Sequence, residues 1–438
     1  MKVAIVTAFP PSKVTLNEYG YHLVKNFVQK NEVTELVLIT DKTEEPKQLD
    51  FENSHKISVN ECWEFNSYVN IFTIVKAVLK EKPDAVLFNL QFVKFGDKKI
   101  PAALGLLLPM ILKILGCNTV VLLHNILEQV DLANAGFASN KTLEKIYNFI
   151  GTSLTSCLLK ADMVAVTINK YVEVLNAKYK SDNVALIPHG SFETPQSPNF
   201  ELPAGPKKVM AFGKFGTYKK VEILIEAIEK IRETNNDPIE LVIAGTDSPN
   251  TPGYLKSVQE RYAHVPGITF TGYVEENQVE TIFNESAIVA FPYTSTTGSS
   301  GVLHQAGSYG KAVVMPDLGD LALLVKDEGY KGEFFNPGSV SSLANAISTI
   351  LEDDAYRVRI AMTNYKAACA LSMGNIVDMY LDKFEQIEMI KLEKALVINV
   401  FKGRLLSPAF INEAKLLLSK FLPRPLSRNL IGNSREIV

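Results

Sequence analysis

Lys214 and Lys219 stand in AFGKFGTYKK, just past an apolar strand, with Gly213 and Gly216 loosening the backbone around them. Two ammonium groups five residues apart, on long stems, suit a flexible diphosphate that they meet as point charges. A second stretch, TSTTGSSG (294–301), follows another apolar strand and precedes the helical run Val302–Tyr309, which Gly310 stops. Ser299, Ser300 and Gly301 would open that helix, and its first backbone N–H groups and positive dipole end attract an anion. A solvated lysine pair and an ordinary loop explain each stretch taken singly. Placed together at the carboxyl edge of one parallel sheet, where such sheets bind ligands, they point to a phosphate-bearing molecule.

His124 directly follows the apolar run Thr119–Leu123, with Asn125 next. A polar residue at the end of a central strand enters the same kind of crevice, although a core histidine is the competing reading. His189, between Pro188 and Gly190, reads as structural, and the direction of His304 inside its helix is not legible. The chain has no paired carboxylates, GxSxG, HExxH or DxD, so serine hydrolase, zincin and carboxylate–metal chemistry lack their residues. Gly310-Lys311 is no phosphate-binding Walker sequence either, because Gln305 and Ala312 occupy its required positions.

These residues need strands that end together. Val3–Thr7, Leu36–Thr40, Ala85–Asn89, Val120–Leu123, Met163–Val166 and Val184–Ile187 are short apolar runs separated by helical periodicity. After a proline-rich stretch with Pro195, Pro198, Pro203 and Pro206, the alternation restarts. It runs through Val209–Gly213, the helix Val221–Ile231, Leu241–Gly245, Thr269–Gly272, Ile288–Phe291 and Val313–Met315. The expectation is α/β: two doubly wound parallel sheets flanking a cleft. We place an N-terminal domain at 1–190, a linker at 191–206 and a C-terminal domain at 207–371. A helix at 372–390 returns to the first domain, and a tail occupies 391–438.

With 438 residues, two domains are the natural division, and 47% hydrophobic with 21% charged residues is a globular composition. A net charge of −3 gives no reason to expect nucleic acid. Cys62, Cys117, Cys157 and Cys369 form no CxxC pair, which argues for reduced thiols and a cytoplasmic setting. The N-terminus reads as a strand rather than a signal peptide. Ile100–Leu115 contains Pro109 and Lys113, is too short to span a bilayer, and is expected to be a buried helix. The tail carries nine Lys or Arg against three Glu, and Phe410, Ala414, Leu417, Leu418 and Phe421 form an amphipathic pattern. Such a helix could touch an anionic membrane on its inner face, or pack on the body with a frayed basic end.

The segments MKVAIVTAFPPSK, LLHN, IPHG, FGKFGTYKK, VIAG, FTGYV, FPY, SSGVLHQAGSYGKAVV and GEFFNPGS, in this order, resemble the retaining GT-B glycosyltransferases of family 4. The resemblance runs from Met1 to Glu388. It implies two Rossmann-like domains, a nucleotide-sugar donor on the second and a glycan or lipid-linked acceptor on the first. Polysaccharide or glycolipid synthesis is the implied setting, with the donor a substrate and no cofactor or metal. By position it makes Lys214 and Lys219 the phosphate-binding cations, with Gly213 beside them, and sets His124 against the donor sugar. Gly272, Tyr273 and Val274 meet the nucleobase, and Ser300, Gly301, Val302 and Leu303 receive the diphosphate. The family's carboxylate pair falls on Thr297 and Gln305, which carry no charge. Gln305 retains hydrogen bonding for ribose hydroxyls. Val14 and Thr15 replace a Gly-Gly pair. These departures leave open a non-catalytic, sugar-nucleotide-binding protein on the same fold.

Overall fold

The computed structural model describes residues 1–129, 141–192, 197–234, 238–248, 250–295 and 299–401, with backbone alone for Gln129, 141–147, Glu276 and 396–401. The expected tail helix around Phe410–Phe421 and the position of Thr297 lie outside the described residues.

The chain opens β1 (Lys2–Val6), α1 (Asn17–Gln29), β2 (Glu35–Asp41), β3 (Ile57–Trp63), α2 (Asn70–Glu81) and β4 (Ala85–Leu90). It continues with α3 (Lys99–Leu106), α4 (Leu108–Ile114), β5 (Thr119–Leu123), α5 (Lys141–Leu158), β6 (Met163–Val166), α6 (Asn169–Tyr179) and β7 (Val184–Leu186). These strands form one seven-stranded parallel sheet in the order β3-β2-β1-β4-β5-β6-β7. Val3, Ala4, Ile5 and Val86–Phe88 are fully buried, as continuous apolar runs must be when helices cover both faces of a sheet.

The second half holds β8 (Lys207–Phe215), α7 (Glu222–Thr234), β9 (Ile239–Asp247), α8 (Tyr254–Arg261), β10 (Ile268–Gly272), α9 (Glu276–Glu285) and β11 (Ser286–Ala290). Then come α10 (Gly301–Ser308), β12 (Ala312–Pro316), α11 (Gly319–Asp327), β13 (Glu333–Phe335), α12 (Val340–Glu352), α13 (Asp354–Ala370) and α14 (Met373–Phe401). The sheet order is β10-β9-β8-β11-β12-β13, again all parallel. Strand order reverses between β1 and β4 in the first sheet and between β8 and β11 in the second. At such a switch point neighbouring crossovers leave in opposite directions and open a crevice. Residues Tyr380–Val438 form a separate compact unit, described as far as Phe401 as the continuation of α14.

The apolar segment Ile100–Leu115 is not the single buried helix expected from its composition. It breaks at Leu107 into α3 and α4, because Pro109 starts a new helix where a missing N–H costs nothing. Ile100 and Ile114 are 60% and 76% exposed. The proline-rich stretch is also anchored: the Phe200 carbonyl accepts from Arg357 Nη2 at 2.7 Å, and Leu202 packs against the second core. At the crossing between halves, Ser191 N–H donates to the Leu371 carbonyl and Met373 N–H donates to the Ser191 carbonyl. Ile376 packs over Gly190, and Lys30 pairs with Asp378 at 2.5 Å.

In the second sheet Gly213 and Gly245 lie side by side, both at positive φ (127° and 137°). A Cβ on Gly245 would meet the Gly213 carbonyl oxygen at 1.9 Å, and that oxygen is backbone with no room to retreat. Gly245→Ala should therefore lower the thermal midpoint by roughly 5 °C or more, at about 2–4 °C per kcal/mol for a domain of this size. Gly338, also at positive φ but with open space around its Cβ direction, is the control. Calorimetry should show Gly338→Ala losing clearly less.

Candidate functional site

A cavity of about 370 Å³ lies between the carboxyl edges of the two sheets. From the first half, Glu18 and His22 reach it from α1, and His189, Gly190 and Phe192 from the chain after β7. Gly213 and Lys214 at the end of β8 and Gly245 and Thr246 at the end of β9 form part of the opposite wall. Tyr273 and Val274 after β10, and Gly301, Val302, His304 and Gln305 on α10, complete it.

The α10 end presents the cavity with an uncapped helix N-terminus. Ser300 is the N-cap residue in extended conformation, and no side chain caps the helix. The Leu303 N–H already donates to the Ser300 carbonyl at 3.0 Å, and Leu303 itself is fully buried. The donors facing the cavity are thus the backbone groups of Gly301 and Val302, a narrower set than the four residues 300–303 expected from sequence. Helices leave their first N–H groups without intrahelical acceptors, and the dipole adds partial positive charge.

The two lysines behave differently. Lys214 is exposed and lines the cavity. Lys219 is 9% exposed and lies behind the wall, its ammonium 4.8 Å from the Tyr293 ring centre and 5.9 Å from that of Tyr218. A Cβ built on Gly213 would touch Lys219 Nζ at 2.9 Å, so only glycine leaves the ammonium its place beside β8. Burial lowers the Lys219 pKa from its ordinary value, and the Tyr218 hydroxyl acts weakly against that. Ring faces stabilise a cation without neutralising it, and among the described residues no carboxylate pairs with Lys219.

His124 stands one ring back from the cavity. Its Nε2 is 2.7 Å from Asn89 Oδ1, while the Asn89 amide donates to Thr7 Oγ1 and the Leu16 carbonyl. The Asn89 oxygen only accepts, so Nε2 carries the proton and Nδ1 is the basic nitrogen. Burial pushes the His124 imidazole well below its usual range, with His189 and Lys94 adding repulsion. Tyr19 packs edge-on against both His124 and His189 and donates its hydroxyl proton to the His189 carbonyl at 2.9 Å.

His189 lies parallel to His304, ring centres 5.2 Å apart, joining the two halves. His304 turns into the protein between Ser299 Oγ (3.1 Å) and the Tyr330 hydroxyl (2.9 Å), with Glu328 Oε2 at 3.6 Å. Burial drives His189 down to about 4 and His304 well below its ordinary value. It drives the Glu328 carboxyl up to about 8, the Asp327 charge adding to the effect.

Of the expected residues, the structure brings Gly213, Lys214, Tyr273, Val274, Gly301, Val302 and Gln305 to the cavity wall. Gly272 ends β10 at φ 68° just before Tyr273, which is 71% exposed at the rim. His124, Lys219, Ser300 and Leu303 are not among the residues that line it, and Thr297 lies outside the described residues. Sequence reasoning missed Glu18, His22 and Phe192, and assigned His189 to structure alone. Glu18 and His22 are one helical turn apart, a spacing that would have put both on one face of α1. Among the described residues no group of three His, Cys, Asp or Glu is placed to hold a metal ion.

Two parallel sheets, with a cavity at the carboxyl edges of both, define the GT-B glycosyltransferase fold. Residues 206–353 match the family model described as Glycosyl transferases group 1, the family to which the recognised motifs point. The D-inositol 3-phosphate glycosyltransferase of Corynebacterium glutamicum is 24% identical over 217 residues, covering 46% of this chain and 51% of the relative. The sulfoquinovosyl transferase SQD2 of Arabidopsis thaliana is 26% identical over 33% of this chain and 26% of its own length. The chain thus spans about half or less of the curated relatives it matches. Among solved structures, the sucrose-phosphate synthase of Thermosynechococcus elongatus superposes with a TM-score of 0.66 at 16% identity, over 88% of this chain and 99% of the other. Anabaena Alr3699/HepE in complex with UDP-glucose gives 0.60 at 17% identity, over 88% and 100%.

The buried imidazoles make stability depend on pH. A histidine that is neutral in the fold but titrates near 6.5 when unfolded stabilises fully above that value. It loses its contribution as pH falls toward its folded pKa, for His189 about 4. Each contributes up to about 1.4 kcal/mol per pH unit in that window. Glu328, held neutral, works the other way between its unfolded pKa and about 8. The clean measurement is therefore a difference. His189→Phe keeps a ring on His304, so its thermal midpoint should fall less steeply than wild type between pH 6.5 and 4. Parallel curves would show that His189 is protonated in the fold.

Proposed function

We propose that this protein is a retaining, metal-independent glycosyltransferase of family 4. It would move a hexose from a nucleoside diphosphate sugar to a glycan or lipid-linked acceptor in polysaccharide or glycolipid synthesis on the cytoplasmic side. The observation that carries the reading is that Lys214 and the open N-terminus of α10 line one cavity at a sheet switch point, with the Lys219 ammonium just behind Gly213 of the same wall. That arrangement supplies positive charge where a leaving diphosphate becomes more negative, and it is in place before the reaction. The Anabaena neighbour is seen with UDP-glucose, so uridine diphosphate sugars head the set of donors to try.

In this reading Gly301 and Val302 N–H groups and Lys214 hold the diphosphate, and Lys219 gains in it the counter-ion its aromatic cage does not provide. Tyr273 and Val274 border the nucleobase, and Gln305 donates or accepts at the ribose. No carboxylate nucleophile is assigned. The acceptor hydroxyl attacks from the face the diphosphate leaves, and its proton passes to the departing phosphate oxygen. Asn89 keeps the proton of His124 on Nε2, and His124 would act on the donor-sugar side of the site from behind the His189 that lines the cavity. Residues 1–190 would hold the acceptor and 207–371 the donor. The basic tail 391–438 fits a peripheral contact with the inner face of a membrane.

The uncharged Gln305 in the cavity wall favours one second reading, a donor-binding protein without turnover. Thermal shift with UDP-, GDP-, ADP- and dTDP-sugars, with nucleotide release followed alongside, separates the two. One donor should stabilise the protein and slowly release its nucleoside diphosphate. Binding without release in the presence of acceptors would establish the second reading. Lys219→Ala should reduce turnover about 10²–10³-fold, the loss typical of one donor to a developing oxyanion. A wild-type rate would remove Lys219 from the phosphate clamp.

A further inference from the structure

Tyr293 closes the FPY segment at the end of β11, and the backbone around it is tightly bonded. Tyr293 N–H donates to the Phe291 carbonyl at 2.7 Å, Lys220 N–H to the Pro292 carbonyl at 2.9 Å, and Thr294 N–H to the Tyr218 carbonyl at 2.8 Å. Tyr293 and Lys219 pair as an antiparallel bridge. The Tyr293 ring meets Phe291 with centres 5.4 Å apart and Tyr218 at 5.5 Å, edge-on in both cases. The residue is 5% exposed. A ring held by its own backbone and by two other rings points its hydroxyl one way.

That hydroxyl is buried and completes no hydrogen bond among the described residues. The Ser300 side chain, at the N-cap of α10, lies within its electrostatic reach. Buried phenols are normally hydrogen-bonded, because a donor left unmade in the interior is costly. Burial also pushes the Tyr293 pKa up from its ordinary value, so the oxygen keeps its proton and is a donor. Two further kinds of donor lie beside it. The Lys219 ammonium stands 4.8 Å from the centre of the same ring. Lys219 Nζ and Val302 Cγ2 also close on Gly213, at 2.9 Å and 3.9 Å from where a Cβ would stand, which brings the ammonium to the first turn of α10. Phenol, ammonium and backbone N–H groups therefore meet at one place with no carboxylate among the described residues to balance them. A water molecule could accept from some of these donors but would bring no charge. An oxyanion satisfies all three.

We propose that the Tyr293 hydroxyl is a further hydrogen-bond donor to the phosphate group held at the N-terminus of α10, acting on it together with Lys219. This rests on the donor-binding reading of the cavity and adds a residue to it. The phenol differs from both lysines in kind. It is neutral and directional, and the fold fixes its ring before any ligand arrives. It therefore orients a phosphate oxygen that the ammonium groups only attract, and its bond strengthens as negative charge grows on that oxygen.

Tyr293→Phe in the full-length protein tests this, since it keeps the ring under the Lys219 ammonium and removes only the hydroxyl. Calorimetric titration with inorganic pyrophosphate and with UDP should show both binding at least about tenfold more weakly to the variant, the loss expected for a hydrogen bond to a charged group. The thermal midpoint of the ligand-free variant should not fall, because no hydrogen bond of the free protein is lost. Equal affinity in variant and wild type would overturn the proposal and leave Lys214 and the α10 N-terminus as the anion site. A lowered midpoint without ligand would assign the hydroxyl to the fold and overturn the proposal whatever the affinities. Binding of neither probe to the wild type would overturn the donor-binding reading, and this proposal with it.

Discussion

Two uncharged imidazoles in parallel contact, His189 from the first half and His304 from the second, meet in the wall of the cavity. The contact holds only while both rings are neutral, and the apolar surroundings see to that by making a proton on either expensive. The neighbouring groups reinforce the state. Tyr19 braces His189 from one side through its hydroxyl and ring edge, and Ser299 and Tyr330 occupy both nitrogens of His304. A buried hydrogen bond from the Tyr171 hydroxyl to Asp320 at 2.7 Å joins α6 to α11 elsewhere along the same boundary. The open end of α10 is held in register with the first sheet by these contacts.

The chemistry of the site comes from different electrostatic settings for similar groups. Lys214, in solvent, is a mobile charge that can follow a phosphate. Lys219 is fixed between ring faces that repay part of its lost hydration but none of its charge. Gln305, an amide on the same wall, offers hydrogen bonds but no charge. The positive potential in the cavity is therefore contributed by lysines and by backbone, with Glu18 as a carboxylate on the opposite wall.

Much of this was legible in the chain. Apolar runs of the right length, separated by helical periodicity, marked most strands of both sheets, and the glycine turns marked the edge where they end. Gly213 and Gly245 stand at positive φ, so the backbone needs them and they leave a local trace. β3 and β13 were not found. In ISVNECW polar residues interrupt the apolar run because this edge strand is half-exposed, and EFF is too short to show a period. The first-half wall was largely illegible for another reason. Tyr19 reads as a core residue by its spacing, which it is, and nothing in the local sequence reports that its ring also supports two histidines distant in the chain. The direction of His304 depends on the phase of α10 against β13, which is a tertiary fact. The segment 100–115 misled because composition records apolarity but not the side on which it falls.

The double crossing at Ser191 and Met373 has a mechanical meaning. One strand between two bodies is a swivel, free to turn about any axis. Here two strands cross side by side and share hydrogen bonds, with Ile376 wedged over Gly190. Such a joint resists twisting and sliding and yields most easily to bending, as a door leaf does on its pin. An opening of the cavity at this joint would follow one bending coordinate, drawing Lys214 away from Glu18 and His22 on the facing wall.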